Sequence, residues 1–162
     1  MRRLIVAALL LVAVGCSGAG GDAPVTQGRL TDPAEVTRTG RPNDYLVCPP
    51  GVCAAAADRA SRTYPVPAER LAEAWTAVVA AAPRTRPIAA DPAALLFAFE
   101  QRSALFGFRD TILVRFIPLA TDRSTLAIYS RSEVGYWDLG VNSRRVETWL
   151  AALDAAVGQA TP

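Results

Sequence analysis

Residues 111–131 read TILVRFIPLATDRSTLAIYSR. Ile112, Val114 and Phe116 alternate with Thr111, Leu113 and Arg115. Leu126 and Ile128 alternate with Thr125, Ala127, Tyr129 and Arg131. Apolar residues at every second position put one set on one face of a pleated strand, the mark of a half-buried antiparallel sheet. Thr121-Asp122-Arg123 is short enough to join the two runs as a hairpin, and Pro118 predicts a strand end.

Working outward, Leu95, Phe97 and Phe99 alternate with Leu96, Ala98 and Glu100 to give a third strand. A short strand is predicted at residues 61–66 and a weaker one at residues 86–90. Between these last two, Leu71, Trp75, Val78, Val79 and Ala82 recur at helical spacing. Pro67 suits the first turn of that helix and Pro83 ends it. A second helix carries Val146, Trp149, Leu150, Leu153 and Val157 on one face, with Gly158 at the expected C-terminal cap. The order strand, helix, strands, helix predicts a single α+β two-layer domain. Its antiparallel sheet of four to five strands is packed by two helices. The other sheet face, with Leu96, Leu113, Ala127 and Tyr129 between Arg102, Arg115 and Arg131, reads either as solvated or as a surface for a lipid, a peptide or an envelope protein.

Residues 1–15 form a leader: Arg2 and Arg3 precede an apolar run that is too short for a bilayer, which needs about 20 residues. The exit Ala13-Val14-Gly15-Cys16 is similar to the bacterial lipobox, in which the cysteine is acylated and becomes the mature N-terminus. That resemblance implies lipidation of Cys16, and Ser17 after it implies the periplasmic side of the outer membrane. Residues 16–40, rich in Gly, Thr, Asp and Pro, read as a flexible tether. The globular domain is expected at 41–158, with 159–162 as a tail. Cys48 and Cys53 enclose Pro49-Pro50-Gly51-Val52, and in an exported chain the pair reads as a disulfide, with free or redox-active thiols as the rival. Zinc lacks ligands, since there is no further Cys beyond Cys16 and no His.

All seventeen basic residues are Arg, set against fifteen acids. Removing Arg2 and Arg3 with the leader leaves fifteen of each, which argues against nucleic acid as a partner. Without His, a catalytic centre would have to run on carboxylates, Arg, Tyr or Ser. No cofactor is implied.

The densest polar stretch is residues 130–145, SRSEVGYWDLGVNSRR, between the last strand and the last helix. Asp138, Asn142 and Arg145 are spaced four and three apart, and so share a face if the helix begins by Asp138. If it begins later, Asn142 is a natural N-cap. Two readings stay open. In one, these residues, with Asp110 and Arg131, tie the turn to the sheet by ion pairs and caps. In the other, Arg131 and Arg145 form an anion-binding fork beside the helix start. A carboxylate-based envelope hydrolase using Asp110 and Asp138 is the enzymatic alternative.

The stretch from Arg131 to Arg145 resembles the C-terminal signature of the family catalogued as domain of unknown function 1499, roughly Arg-Ser-x-Ser-Arg-x-Gly-x-x-Asp-x-Gly-x-Asn-x-x-Arg. Gly135, Asp138, Gly140, Asn142 and Arg145 stand in register, and Glu133 departs by reversing a charge. Phe106-Gly107-Phe108-Arg109-Asp110 is similar to the family's aromatic turn, with Arg109 in place of its first Asp. Cys48-Pro49 and Cys53 are similar to its Cys-Pro…Cys entry. The resemblance covers about residues 41–155 and implies a fold without an established activity. The expectation for function is a cell-envelope lipoprotein with a binding or structural role. The membrane, through Cys16, is its first partner, and an envelope protein, a lipid or an anionic small molecule its second.

Overall fold

The computed structural model describes residues 30–160. The predicted leader, Cys16 with the first part of the tether, and residues 161 and 162 lie outside them. Six strands and two helices follow in the order β1 (Asp44–Cys48), β2 (Arg59–Ala60), α1 (Ala68–Ala80), β3 (Thr85–Asp91), β4 (Leu96–Arg102), β5 (Arg109–Ala120), β6 (Arg123–Ser132) and α2 (Val141–Ala160), with a short 3₁₀ helix at Pro33–Glu35 in front. The strands form one open sheet in the order β2-β1-β6-β5-β4-β3. All neighbours are antiparallel except β1 and β2, which pair parallel through Val47↔Arg59 and Cys48↔Ala60. The α+β architecture with two helices is therefore as predicted, but the sheet is six-stranded and mixed. The additional strands, β1 and β2, flank the Cys48–Cys53 turn, where prolines obscure any alternation.

Three local expectations are corrected. The strand expected at residues 61–66 reduces to one bridge, in which Tyr64 and Ser124 exchange backbone hydrogen bonds of 2.8 and 3.0 Å. Pro65 and Pro67 have no N–H with which to extend it. Pro118 does not end β5, because a register shift between Pro118 and Ala120 absorbs it and the ladder resumes at Ala120↔Arg123. Gly158 is not a cap, since α2 runs past it to Ala160 without a left-handed residue.

The periodicities of α1, α2 and the strands converge on one core. Trp75, fully buried, packs edge-on against Phe116 at 6.5 Å and Trp149 at 5.8 Å. Ile112, Val114, Leu126 and Ile128 face it from the sheet, and Leu71, Val79, Val146 and Leu153 from the helices. Burying each such side chain stabilises by about 1.5–3 kcal/mol before entropy is counted. The opposite sheet face is not open. Val36 and Cys48 join Leu46, Ala127 and Tyr129 in a second cluster, with Cys53, Ala55, Leu113 and Ile117 beside it. Residues 33–36, expected in the tether, thus pack on the sheet, and Asp32 holds Arg115 there. The face expected to be available to a partner is largely covered by the chain itself.

Candidate functional site

The core-facing side of the sheet changes character at one end. Along β6, Leu126 and Ile128 are followed on the same face by Ser130 and Ser132. On β5, Asp110 precedes Ile112, and on β4, Gln101 follows Phe99. The register brings these together: Gln101 lies opposite Asp110, Asp110 opposite Ser132, and Ile112 opposite Ser130. The loop from β6 to α2 closes over this polar end. It needs left-handed backbone at Gly135 (φ 96°), Leu139 (φ 56°) and Gly140 (φ 74°). Glycine adopts such angles freely, whereas Leu139 does so at a cost.

Asp138 opens the helix. Its carboxylate accepts the N–H groups of Gly140 and Asn142, both at 2.8 Å, and the Asn142 side-chain amide at 2.7 Å. It therefore does the capping that the sequence assigned to Asn142, satisfying orphan donors at the positive end of the helix. Asn142 sits inside the first turn, fully buried. Its amide also donates to the Asn43 carbonyl and to Ser132 Oγ, both at 3.0 Å. Its Oδ1 accepts from Ser130 Oγ and Arg145 Nη1, both at 2.7 Å.

Arg145, one turn on, lies under the loop with its side chain 4% exposed, paired with Asp110 at 6%. Nη2 meets Asp110 Oδ2, Nε meets Gln101 Oε1, and Nη1 donates to Ser130 Oγ at 3.0 Å as well as to Asn142. Four of its five N–H donors thus end on protein acceptors. Asn43, just before β1, adds a strap: its amide donates to the Gly135 carbonyl at 2.8 Å, and its own carbonyl accepts from Ser132 N–H at 3.0 Å.

The structure brings together Asp110, Asp138, Asn142 and Arg145. It does not bring Arg131 to them. Arg131 alternates with Ser130 and Ser132 and so projects from the other sheet face, where it forks onto Glu133 with two contacts of 3.1 Å. The expected Arg131–Arg145 fork is therefore absent, and the Glu133 charge that departs from the family signature is answered by its neighbour. Cys48 and Cys53 are joined as a disulfide with Cα atoms 6.2 Å apart, across a turn whose Gly51 has φ 76°.

Sequence reading missed Asn43, Gln101, Ser130 and Ser132. The signal was present for the serines: two polar residues at the core positions of a strand whose other core positions are apolar. It also missed Glu100. This buried carboxylate on the other face is held by Arg86 at 3.2 Å and Arg102 at 3.1 Å, with Arg109 at 4.0 Å.

The outer surface of the same loops is of opposite character. Phe106 and Phe108 stack with centroids 5.3 Å apart. Tyr136, Trp137 and Leu139 are exposed on the neighbouring loop, and Glu133 N–H bonding to the Arg109 carbonyl at 3.0 Å joins the two loops.

An open mixed sheet with two helices on one face and a polar plug under the β6–α2 loop defines an α+β domain closed at one end by its own buried ion pair. The chain belongs to the family described as "Protein of unknown function (DUF1499)", whose model matches residues 35–153. No curated protein matches it. Among solved structures, it is similar to the di-domain aromatase/cyclase BexL of the BE-7585A biosynthetic pathway, with 18% identity and a TM-score of 0.46, covering 63% of this chain and 46% of that one. It is also similar to the ZhuI aromatase/cyclase from Streptomyces sp. R1128, with 18% identity and a TM-score of 0.41, covering 62% and 90%. A protein from Thermus thermophilus gives 12% identity and a TM-score of 0.38, covering 74% and 99%. The chain spans less than half the length of BexL, and likenesses of this size carry no inference about ligand or reaction.

Proposed function

We propose that this chain is a cell-envelope lipoprotein, anchored through acylated Cys16 on the periplasmic face of the outer membrane, whose domain serves as a non-catalytic binding or structural module. The observation that supports the second half is that protein groups already engage both candidate carboxylates. Asp110 is engaged by Arg145, and Asp138 by three N–H donors at the start of α2. A general acid or base needs a lone pair or proton aimed at substrate, and both carboxylates are turned to protein partners. The same engagement weighs against the hydrolase alternative on Asp110 and Asp138. Among the described residues, no helix is long and apolar enough to cross a membrane, so a lipid on Cys16 would supply the attachment.

The anchor is tested by Cys16→Ala in the native host. The protein should leave the membrane fraction and lose acyl labelling; retention without labelling rules this anchor out. The module is tested by purifying the domain from native membranes and identifying what accompanies it. Turnover of a co-purified molecule that is lost in Asp138→Asn would overturn the non-catalytic reading.

A further inference from the structure

The molecule carries an apolar cap that its own fold leaves bare. Leu105, Phe106, Phe108, Tyr136, Trp137 and Leu139 are between 49% and 81% exposed. All six lie on two adjoining loops at the polar-plugged end of the sheet. Clusters of this kind on a monomer mark a contact surface. Side chains so exposed stand out from loop tips, whereas a groove for a shaped ligand would shield them. Trp and Tyr beside Leu and Phe is also the mixture that settles at the headgroup level of a bilayer, with an apolar body inward and a polar edge wet.

The surrounding charge selects the kind of surface. Arg102 and Arg109 face each other across the base of the first loop, and Arg84 hydrogen-bonds the Arg102 carbonyl. Arg144 bonds the Leu139 carbonyl, and Arg41 precedes Pro42, whose carbonyl accepts from Asp138 N–H. The nearby carboxylates are already committed: Glu100 is buried beneath arginines, Glu133 is forked by Arg131, and Asp138 caps α2. Guanidinium groups around an aromatic tip, with no free carboxylate among them in the described residues, complement phosphate headgroups.

We propose that this tip is a second membrane contact: Trp137, Tyr136, Phe106 and Leu139 enter the interface of an anionic phospholipid surface while the arginines engage its phosphates. The contact is distinct from the N-terminal anchor and would orient the domain with the β4–β5 and β6–α2 loops towards the lipid.

Trp75 and Trp149 are buried, so Trp137 reports on the tip by itself. The full-length chain is mixed with vesicles of phosphatidylglycerol and phosphatidylethanolamine whose acyl chains are brominated, and with matching phosphatidylcholine vesicles. Emission from Trp137, taken as the difference from Trp137→Phe, should move to shorter wavelength and be quenched by the brominated anionic vesicles. About 1 kcal/mol per arginine near such a surface makes partitioning of the tip at least about tenfold stronger than into phosphatidylcholine, and weaker at high salt. Phe106→Asp with Leu139→Asp should abolish the response while circular dichroism stays unchanged. Binding through the N-terminus alone leaves Trp137 in water, so the readout separates this contact from the anchor. Unquenched Trp137 on bound protein overturns the proposal and assigns the tip to a protein partner. Equal quenching by neutral and anionic vesicles overturns the role given to the arginines.

Discussion

The β6–α2 loop has two sides that follow opposite rules. Its inner side, Asp138 with Asn142 and Arg145 of α2 beneath it, is all polar, all hydrogen-bonded and mostly sealed from water. Its outer side carries Val134, Tyr136, Trp137 and Leu139, all large, apolar or aromatic, and all facing solvent. Hydrophobic burial alone would have arranged them the other way round. The difference separates what folding needs from what folding does not explain. The inner residues earn their place by closing the sheet end and starting the helix. The outer residues contribute little to the fold, and their chemistry suits something outside the chain.

Removing the inner ion pair should have the largest effect. Arg145→Ala leaves Asp110 buried and uncompensated and strips Asn142, Ser130 and Gln101 of a donor, a loss of about 3–5 kcal/mol. Asp110→Ala should cost a similar amount. The double mutant should cost clearly less than the sum, because each single change orphans the other charge. Urea unfolding of the three variants measures this. Additive losses below ~0.5 kcal/mol each would mean that Arg145 is not structural and would return it to the anion-site reading.

A smaller loss is expected from Asp138→Ala, which leaves the N–H groups of Gly140 and Asn142 at the helix start without an acceptor: about 1–2 kcal/mol, in the range of N-cap removal. Asp138→Asn should recover only part of it, since Gly140 N–H and Asn142 N–H bond different carboxylate oxygens and the amide keeps one acceptor. A variant as disrupted as Arg145→Ala would show that Asp138 belongs to the ion-pair network rather than to the cap.

Two phenols make the molecule sensitive to alkali, Tyr129 on the sheet face covered by residues 33–36 and Tyr45 on the helix face. Burial, with the carboxylate of Asp44 beside it, pushes Tyr129 up to about 12, and burial with Glu147 does the same for Tyr45. Their hydroxyls donate to those carboxylates at 2.9 and 2.7 Å. A raised folded pKa means that the unfolded chain, with phenols near 10, loses its protons first. The stabilisation is therefore complete below pH 10 and is lost as pH climbs from 10 to about 12. Thermal melts across that window should fall, and Tyr129→Phe should flatten the fall while lowering stability at neutral pH. A melting temperature that does not change with pH there would contradict the two contacts.

Period-two alternation in β4, β5 and β6 and period-3.6 spacing in both helices made the sheet, the helices and the core around Trp75 legible from sequence. Asn142 and Arg145 were legible as a pair because helical spacing puts them together, whereas α2 begins only at Val141 and Asp138 joins them from outside the helix, across the left-handed Leu139 and Gly140. Two things were not. The first was which residue caps: side-chain direction at a helix start depends on where the backbone turns left-handed, and Leu139 gives no sequence sign that it does. The second was the partners contributed from a distance. Asn43 and Gln101 reach the network only through strand register, and the strand that follows Asn43 was hidden by the prolines of the disulfide turn. Arg131 failed as a prediction for a related reason, since one step along a strand exchanges faces.

The outer side of the loop should matter least to stability. Trp137→Ser removes one of the largest side chains in the loop, yet that side chain is about two-thirds exposed and one residue away from Asp138. If the outer side is indifferent to folding, the change should move the unfolding free energy by less than ~0.5 kcal/mol. Arg131→Ala should do no more, because its fork to Glu133 is a partly exposed pair of the kind worth about 0–1 kcal/mol. Set beside Arg145→Ala, these variants ask whether two arginines fourteen positions apart, on opposite faces of the same strand-to-helix connection, differ by the several kcal/mol that burial implies. A loss from Trp137→Ser comparable to that from Asp138→Ala would show that the indole helps hold the left-handed turn at Leu139. The tip would then be part of the fold, and its exposure would need no partner to explain it. A silent Trp137→Ser leaves the aromatic side chains free to be read by what they touch outside the chain.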